Sequence, residues 1–181
     1  MKNTLRIGQI FMLIALVFVV GCSDDSVTEP PPPPPATPDP AGSIGVFMDQ
    51  GGSNNNITDT GSIITLYVVH DAPEVTASMF RVQAPTGWTL LGSLPQFPVA
   101  VGNVETGISL GYGTCMNNSI LVMTVTYMCP GNTPVGEGFT VLPHGPPNAW
   151  EPAYSEIRVV DCSSNLLLTA TGVQSPVTIV P

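Results

Sequence analysis

Positive charge is nearly absent from this sequence. The 181 residues contain four Lys and Arg against 13 Asp and Glu, which gives a formal net charge of −9. Proteins that bind nucleic acid rely on clustered Lys and Arg to meet the phosphates. The sequence therefore predicts no nucleic-acid partner. It also offers no basic patch that could hold the chain on anionic lipid headgroups.

Motifs for catalysis and for metal binding are missing as well. There is no G-x-S-x-G, no H-E-x-x-H and no phosphate-binding loop, and the C-x₂-C spacing of zinc sites is absent. His70 and Asp71 are adjacent, so on a strand their side chains point to opposite faces and cannot form a relay. The sequence predicts no enzyme, no cofactor and no metal site. A hydrolase with carboxylates drawn from distant positions would leave no such motif, and it remains one alternative.

No hydrophobic run is long enough to span a membrane. The run from Ile10 to Val20 has eleven apolar residues, whereas a spanning helix needs about 20. Lys2 and Arg6 precede this run, and the small Gly21 follows it. A basic start, a short apolar core and a small residue are typical of a secretory signal. Residues 1–21 are therefore predicted to be a signal peptide.

Val19-Val20-Gly21-Cys22 resembles the lipobox of bacterial lipoproteins. In that family the peptide is cut before the cysteine, whose thiol becomes a diacylglyceryl thioether. The resemblance implies that Cys22 is the lipid attachment site and the first mature residue, and that its acyl chains anchor the protein to a membrane. Ser23 follows Cys22 where Asp would favour the inner membrane. The resemblance therefore points to the outer membrane or the cell surface.

The segment after Cys22 is rich in proline. Ser23 to Ser43 holds no large apolar residue except Val27, and Pro30 to Pro35 are consecutive prolines. Such a run adopts an extended polyproline II helix that rises ~3.1 Å per residue. Residues 22–43 are predicted to be a disordered stalk that carries a domain formed by residues 44–181.

From residue 44 onward the sequence has few residues suited to a long helix. Short runs rich in Val, Ile and Thr alternate with Gly, Pro and Asn, and the clearest are Ser62 to His70 and Ile120 to Met128. This rhythm predicts an all-β domain, a single Ig-like or jelly-roll antiparallel β-sandwich of about 9–11 strands.

The polar stretch from Asp49 to Gly61 is predicted to be a long turn. Its Asp and Asn side chains could ligate calcium, but the spacing and the closing Glu of an EF-hand are missing. Calcium binding by residues 49–61 remains an alternative to a simple turn.

Three cysteines remain after Cys22, so at most one internal disulfide can form. Cys115 and Cys129 bracket a predicted strand and would lie ~40 Å apart if that strand is straight, which disfavours their pairing. If strand 155–161 lies antiparallel to strand 120–128, Cys162 meets Cys115. A parallel arrangement would pair Cys129 with Cys162 instead. The antiparallel arrangement is favoured, which predicts a Cys115–Cys162 disulfide.

Exposed aromatic side chains could stack on sugar rings. Trp88 and Tyr112 are candidates, although Trp88 begins a strand and is expected in the core. Trp150 and Tyr154 are flanked by prolines and are the better candidates for a ligand-stacking pair. A carbohydrate-binding surface module is therefore a further alternative.

The strand pattern, with Gly111-Tyr112-Gly113 expected before a strand and the segment from Glu156 to Cys162, resembles that of secreted bacterial β-sandwich proteins. More distantly it is similar to cohesin modules and carbohydrate-binding modules. The sequence thus predicts an anchored extracytoplasmic lipoprotein whose β-sandwich binds a partner or has a structural role. The expected partners are the membrane, through the acyl chains on Cys22, and a glycan or an envelope protein.

Overall fold

The structure is a computed structural model, and it describes residues 41–145 and 156–179. The predicted signal peptide, Cys22 and nearly all of the stalk lie outside the described residues, as do Trp150 and Tyr154. Every regular element within the described ranges is a β-strand. None of these residues lies in a helix long and apolar enough to cross a membrane.

Twelve strands form the domain. They are β1 (Ser43–Phe47), β2 (Ile57–Asp59), β3 (Ile63–Asp71), β4 (Val75–Gln83), β5 (Thr89–Pro95), β6 (Val99–Asn103), β7 (Gly107–Met116), β8 (Ser119–Met128), β9 (Gly138–Leu142), β10 (Ile157–Asp161), β11 (Leu167–Gly172) and β12 (Gln174–Ile179).

The prediction of an all-β sandwich is confirmed, with one strand more than the expected range. The additional strand is β2, which lies inside the stretch predicted to be a turn. Ile57 of β2 is fully buried and pairs with Val177 of β12. The arrangement is also not wholly antiparallel, since β2 pairs with β12 and β1 with β11 in parallel.

The strands form two layers that share β1. One layer, here called the front sheet, has the order β1-β3-β8-β5. The other, the back sheet, begins with β6, β7 and β4. Both β10 and β9 pair with β4. Strand β10 then pairs with β11, while β9 pairs with β12, which pairs with β2. Because β1 pairs with both β3 and β11, the layers are joined on that side. On the other side they end at the edge strands β5 and β6.

Alternation of side chains along the strands builds the core between the layers. On β8, Met123, Val125 and Tyr127 are fully buried, while the residues between them face outward. Phe80 and Phe139 fill the opposite side from the back sheet. Two-residue alternation of this kind is what one buried sheet face imposes on its sequence.

Strands β9 and β10 both pair with the same part of β4. Leu142 at the end of β9 pairs with Arg81 of β4, and Arg158 of β10 pairs with Met79, two residues earlier in β4. Residues 143–156 therefore connect two points that are adjacent on β4.

Candidate functional site

Charged residues are excluded from four consecutive strands. Between Arg81 and Glu137 the only charged residue is Glu105, which lies in the turn between β6 and β7. Strands β5, β6, β7 and β8 thus contain no Asp, Glu, Lys or Arg. The two Arg that follow residue 22, Arg81 and Arg158, lie on β4 and β10 of the back sheet. The part of the front sheet in which β3, β8 and β5 pair is therefore free of charged side chains, while Asp71 is exposed at the end of β3.

The outer face of the front sheet is a regular grid of uncharged side chains, here called the front face. Its rows cross β3, β8 and β5 in register, and their residues alternate with buried ones along β3 and β8. The three rows are Ile63-Met128-Thr89, Thr65-Thr126-Gly92 and Tyr67-Thr124-Leu94.

Large apolar side chains on the front face are open to solvent. Leu94 is 65% exposed, Ile63 60% and Met128 42%. Single exposed apolar residues are common on protein surfaces, but a contiguous patch free of charge indicates an interaction surface. Threonines lie between these apolar groups and can hydrogen-bond a partner. The three rows hold no charged side chain, and their apolar and hydroxyl groups suit binding.

Buried Asp59 fixes the end of the front sheet that carries Ile63 and Met128. Its carboxylate accepts hydrogen bonds from the N–H groups of Gly61, Gly131 and Thr133 at 2.8–3.1 Å and from the Thr133 hydroxyl at 2.6 Å. The same hydroxyl oxygen accepts the indole N–H of Trp88 at 2.7 Å. Gly61 and Gly131 have positive φ, and a Cβ added to Gly131 would lie 3.2 Å from the Cα of Gly61, so glycine suits both positions.

The hydrogen bonds keep Asp59 ionised. Desolvation by burial acts to raise the pKa of this carboxyl, but the bonds from Thr133, Gly61 and Gly131 outweigh it and hold the pKa well below its ordinary value. Asp59 therefore acts as a charged tie between the loop after β2 and the loop after β8.

A second polar cluster joins the two layers through the middle of the core. His70 of β3 contacts the Tyr112 hydroxyl through Nδ1 at 2.8 Å, and this hydroxyl donates to Ser78 of β4 at 2.6 Å. All three residues are buried. Burial lowers the pKa of His70 to about 4 and raises that of Tyr112, so both side chains are neutral at pH 7. His70 lies in the core while Asp71 is exposed, as the alternation predicted.

The disulfide joins Cys115 and Cys162, and the predicted pair is correct. The predicted reason is wrong, because strand 155–161 does not lie beside strand 120–128. Instead β10 and β7 flank β4 on opposite edges, and Met116 and Asp161 both pair with Val75. The registers of β4 with β10 and of β4 with β7 are both irregular at this point, and the Cα atoms of the two cysteines lie 5.6 Å apart. Cys129 is a buried free thiol that donates to the Ser62 carbonyl.

The aromatic candidates for sugar stacking separate into two groups. Trp88 is buried against Tyr127 and Phe139, which confirms its expected place in the core. Tyr112 is buried too, so it cannot stack on a ligand, and Gly111-Tyr112-Gly113 lies inside β7 rather than before a strand. The proposed pair Trp150 and Tyr154 lies outside the described residues.

The polar stretch predicted to be a turn is shaped by its own carboxylates. The Asp49 carboxylate accepts hydrogen bonds from the backbone N–H groups of Gly51, Ser53 and Asn54. These bonds lower the pKa of the carboxyl, and the bond from Ser53 has the largest effect. The Asp59 carboxylate already accepts the four hydrogen bonds described above. Within residues 41–145 and 156–179, no three His, Cys, Asp or Glu side chains converge in a way that could hold a metal ion.

A shallow cleft of about 330 Å³ lies at the back of the molecule. Gln83, Gln174 and Glu137 line it, and Glu137 is the only carboxylate among its lining residues. Both Glu137 oxygens accept hydrogen bonds from Thr86. Acid–base hydrolysis of a glycoside uses two carboxyl groups, and this cleft brings only one to its wall.

Known structures share this fold without sharing its sequence. No protein-family model and no curated protein sequence matches the chain. The sixth cohesin of scaffoldin B from Acetivibrio cellulolyticus, solved with a Cel5 dockerin, is 9% identical with a TM-score of 0.51, over 77% of this chain and 99% of its own.

Two further cohesins have a similar fold. The third ScaB cohesin of R. flavefaciens, in complex with a group 1 dockerin, is 13% identical with a TM-score of 0.51, covering 76% of this chain and 95% of its own. A type III cohesin from a cell-surface anchoring scaffoldin of Ruminococcus flavefaciens is 7% identical with a TM-score of 0.51, covering 80% and 90%. The domain is a cohesin-like jelly-roll β-sandwich, and at these identities the likeness concerns the fold.

Sequence analysis missed the front face, although a signal for it was present. The run from residue 82 to residue 136 holds one charged residue, in a chain with 13 acidic residues. Within that run, Thr124, Thr126 and Met128 alternate with buried positions. The signal was therefore the absence of charge along this run rather than any motif.

Proposed function

We propose that this chain is a lipid-anchored, non-enzymatic module that binds another protein through its front face at the outer membrane or cell surface. The single observation that carries the binding proposal is the uncharged, partly apolar grid on β3, β8 and β5. No Arg and no acidic residue lies in its three rows, and the exposed Asp71 lies beyond them at the end of β3, so little charge opposes a partner approaching this side.

The physical character of the front face favours a protein partner. Its exposed groups are aliphatic and hydroxyl side chains on a sheet, which present a flat and rigid surface. Interface cores between proteins are depleted in charge and rich in such apolar groups. The fold supports the same proposal, since two of the similar cohesins were solved with dockerins bound.

The described residues give less support to a glycan partner. Stacking on sugars requires an exposed aromatic ring, and the described tryptophan, Trp88, is buried. Tyr67 on the front face is only half-exposed.

Photo-crosslinking tests the binding site. A photoreactive amino acid replaces Thr126 at the centre of the grid, or Thr178 on the exposed side of β12 as a matched control. We expect one protein adduct that is specific to the Thr126 position and is identified by mass spectrometry. Equal adducts at both positions, or adducts with glycan alone, would overturn the proposal.

Binding of the purified partner then measures the contribution of the face. Leu94→Asp places a charge in the grid, and we expect at least about a tenfold weaker Kd, since a buried hot-spot side chain contributes more than about 1.4 kcal/mol. Leu167→Asp makes the same change at an exposed leucine of β11. It should leave Kd unchanged in isothermal titration calorimetry.

The anchoring part of the proposal rests on the lipobox resemblance at Cys22. Intact mass spectrometry of membrane-extracted protein should give the mass of residues 22–181 with acyl chains added. The Cys22→Ser variant should keep its signal peptide and carry no lipid. An unacylated mass for the wild-type chain would instead make it a freely secreted protein, without affecting the binding test.

A further inference from the structure

Three strands of the described domain have an unpaired edge, and they differ in how that edge is protected. Edge strands offer free N–H and C=O groups to any other strand unless they are short, bulged, charged or interrupted by proline. β2 has three residues and ends in Asp59. β5 carries a bulge between Leu90 and Gly92 and ends in Pro95. β6 has none of these features within its five residues.

β6 is exposed along its whole length. It has the sequence VAVGN and pairs with β7 alone, in unbroken register from Val99 to Asn103. Val99 is 56% exposed and Val101 58%. Every second residue of an edge strand directs its N–H and C=O away from its neighbour, so β6 presents hydrogen-bonding groups together with two apolar side chains.

The absence of charged residues from β6 indicates which kind of partner strand suits this edge. The chain after residue 22 has two cations and 13 acidic residues. In a two-fold contact each residue faces its own copy or a near neighbour of it, so an acidic residue in the contact would face another acidic residue. A contact between two copies of so acidic a chain is therefore least opposed by like charges along a strip without charge. β6 lies in such a strip, which runs from residue 82 to residue 104.

We propose that β6 pairs antiparallel with β6 of a second copy of this chain. The contact would join the two back sheets into one and would bury Val99 and Val101 against their counterparts. It uses a different surface from the front face, so it goes beyond the proposed partner binding. Because only five residues of each copy take part, the association is weak. It would form where the chains are concentrated, as in a cell envelope.

Cysteine crosslinking in intact cells tests this pairing on the full-length chain. A short bismaleimide treats cells that make Val101→Cys or, as a matched control, Leu167→Cys, which replaces an exposed leucine on β11. The proposal predicts roughly ten times more covalent dimer for Val101→Cys, since in the joined sheet the two copies of residue 167 would be ~40 Å apart. The wild-type chain sets the background from its own cysteines.

A second pair of variants separates strand pairing from random collision. In a Val99→Cys chain, Val101→Asp places carboxylates opposite each other, and we expect roughly tenfold less dimer because like charges across paired strands repel. Val101→Thr removes apolar area without adding charge and should keep most of the dimer. Equal dimer for Val101→Cys and Leu167→Cys, or an equal yield from the Asp and Thr variants, would overturn the proposal.

Discussion

Two buried polar sites hold this domain together, and they handle charge in opposite ways. Asp59 is 1% exposed and remains ionised, because several N–H and O–H donors surround its carboxylate. His70 is completely buried and loses its charge, because burial lowers its pKa to about 4. The comparison teaches that burial alone does not decide ionisation. What decides it is whether the surrounding groups replace the hydrogen bonds of water.

The two sites also respond to acid in different pH ranges. The pKa of His70 is lowered from 6.5 to about 4, so the unfolded chain takes up a proton first and stability falls as pH drops through this range. The pKa of Asp59 is lowered from 3.8, so its contribution is complete above pH 3.8 and is lost only at lower pH. Acid should therefore weaken the sandwich in two steps.

Removing Asp59 should have the largest effect. Asp59→Ala leaves the buried donors of Gly61, Gly131 and Thr133 unsatisfied, and we expect the free energy of unfolding to fall by about 4 kcal/mol. Asp49→Ala is the control, since Asp49 also accepts several backbone N–H groups but is only half-buried. Urea denaturation at pH 7 gives the free energy of unfolding of both variants. Equal losses of this free energy would show that burial does not set the contribution of the carboxylate.

Acidification from pH 6.5 to pH 4 should cost about 3 kcal/mol of unfolding free energy through His70, given that one pKa unit corresponds to about 1.36 kcal/mol. His70→Gln has no titrating group at this position, so its stability should change much less over the same range. Urea denaturation at a series of pH values gives both slopes. Parallel slopes for the wild type and the variant would show that another group titrates.

Thr133 offers a smaller and more selective change at the Asp59 site. Thr133→Val removes the hydroxyl that donates to Asp59 and accepts from Trp88, and we expect a loss of about 2 kcal/mol. Thr133→Ser keeps the hydroxyl and should lose clearly less. If the Val and Ser variants unfold at the same urea concentration, the hydroxyl does not contribute to the charged tie.

Sequence analysis predicted the features of this fold that depend on local pattern. Runs of β-branched residues marked strands such as β3 and β8, and Trp88 was correctly assigned to the core. It missed β2, because Ile57 is the sole large apolar residue in a polar stretch and the strand forms only by pairing with β12, more than one hundred residues away. It also misplaced β10, since the choice of neighbouring strand depends on contacts between distant parts of the chain.

The functional surface was harder to predict for a related reason. The residues of the front face are ordinary threonine, leucine and isoleucine, and their importance comes from their shared exposure on three paired strands. Likewise Asp59 looks in the sequence like any acidic residue of a polar turn. Its role follows from donors contributed by Gly131 and Thr133 at the far end of β8.

The pairing of β9 and β10 with the same part of β4 bears on where the chain between them, residues 143–156, could accept an insertion. The two ends of that segment are fixed side by side by pairs that belong to the sheet. Each doubling of a closed loop's length costs only about 0.6 kcal/mol, so insertions there would leave the strand order intact. Since His144 is buried and Gly145 packs against Thr106, a peptide tag placed after Gly145 would keep both of these contacts.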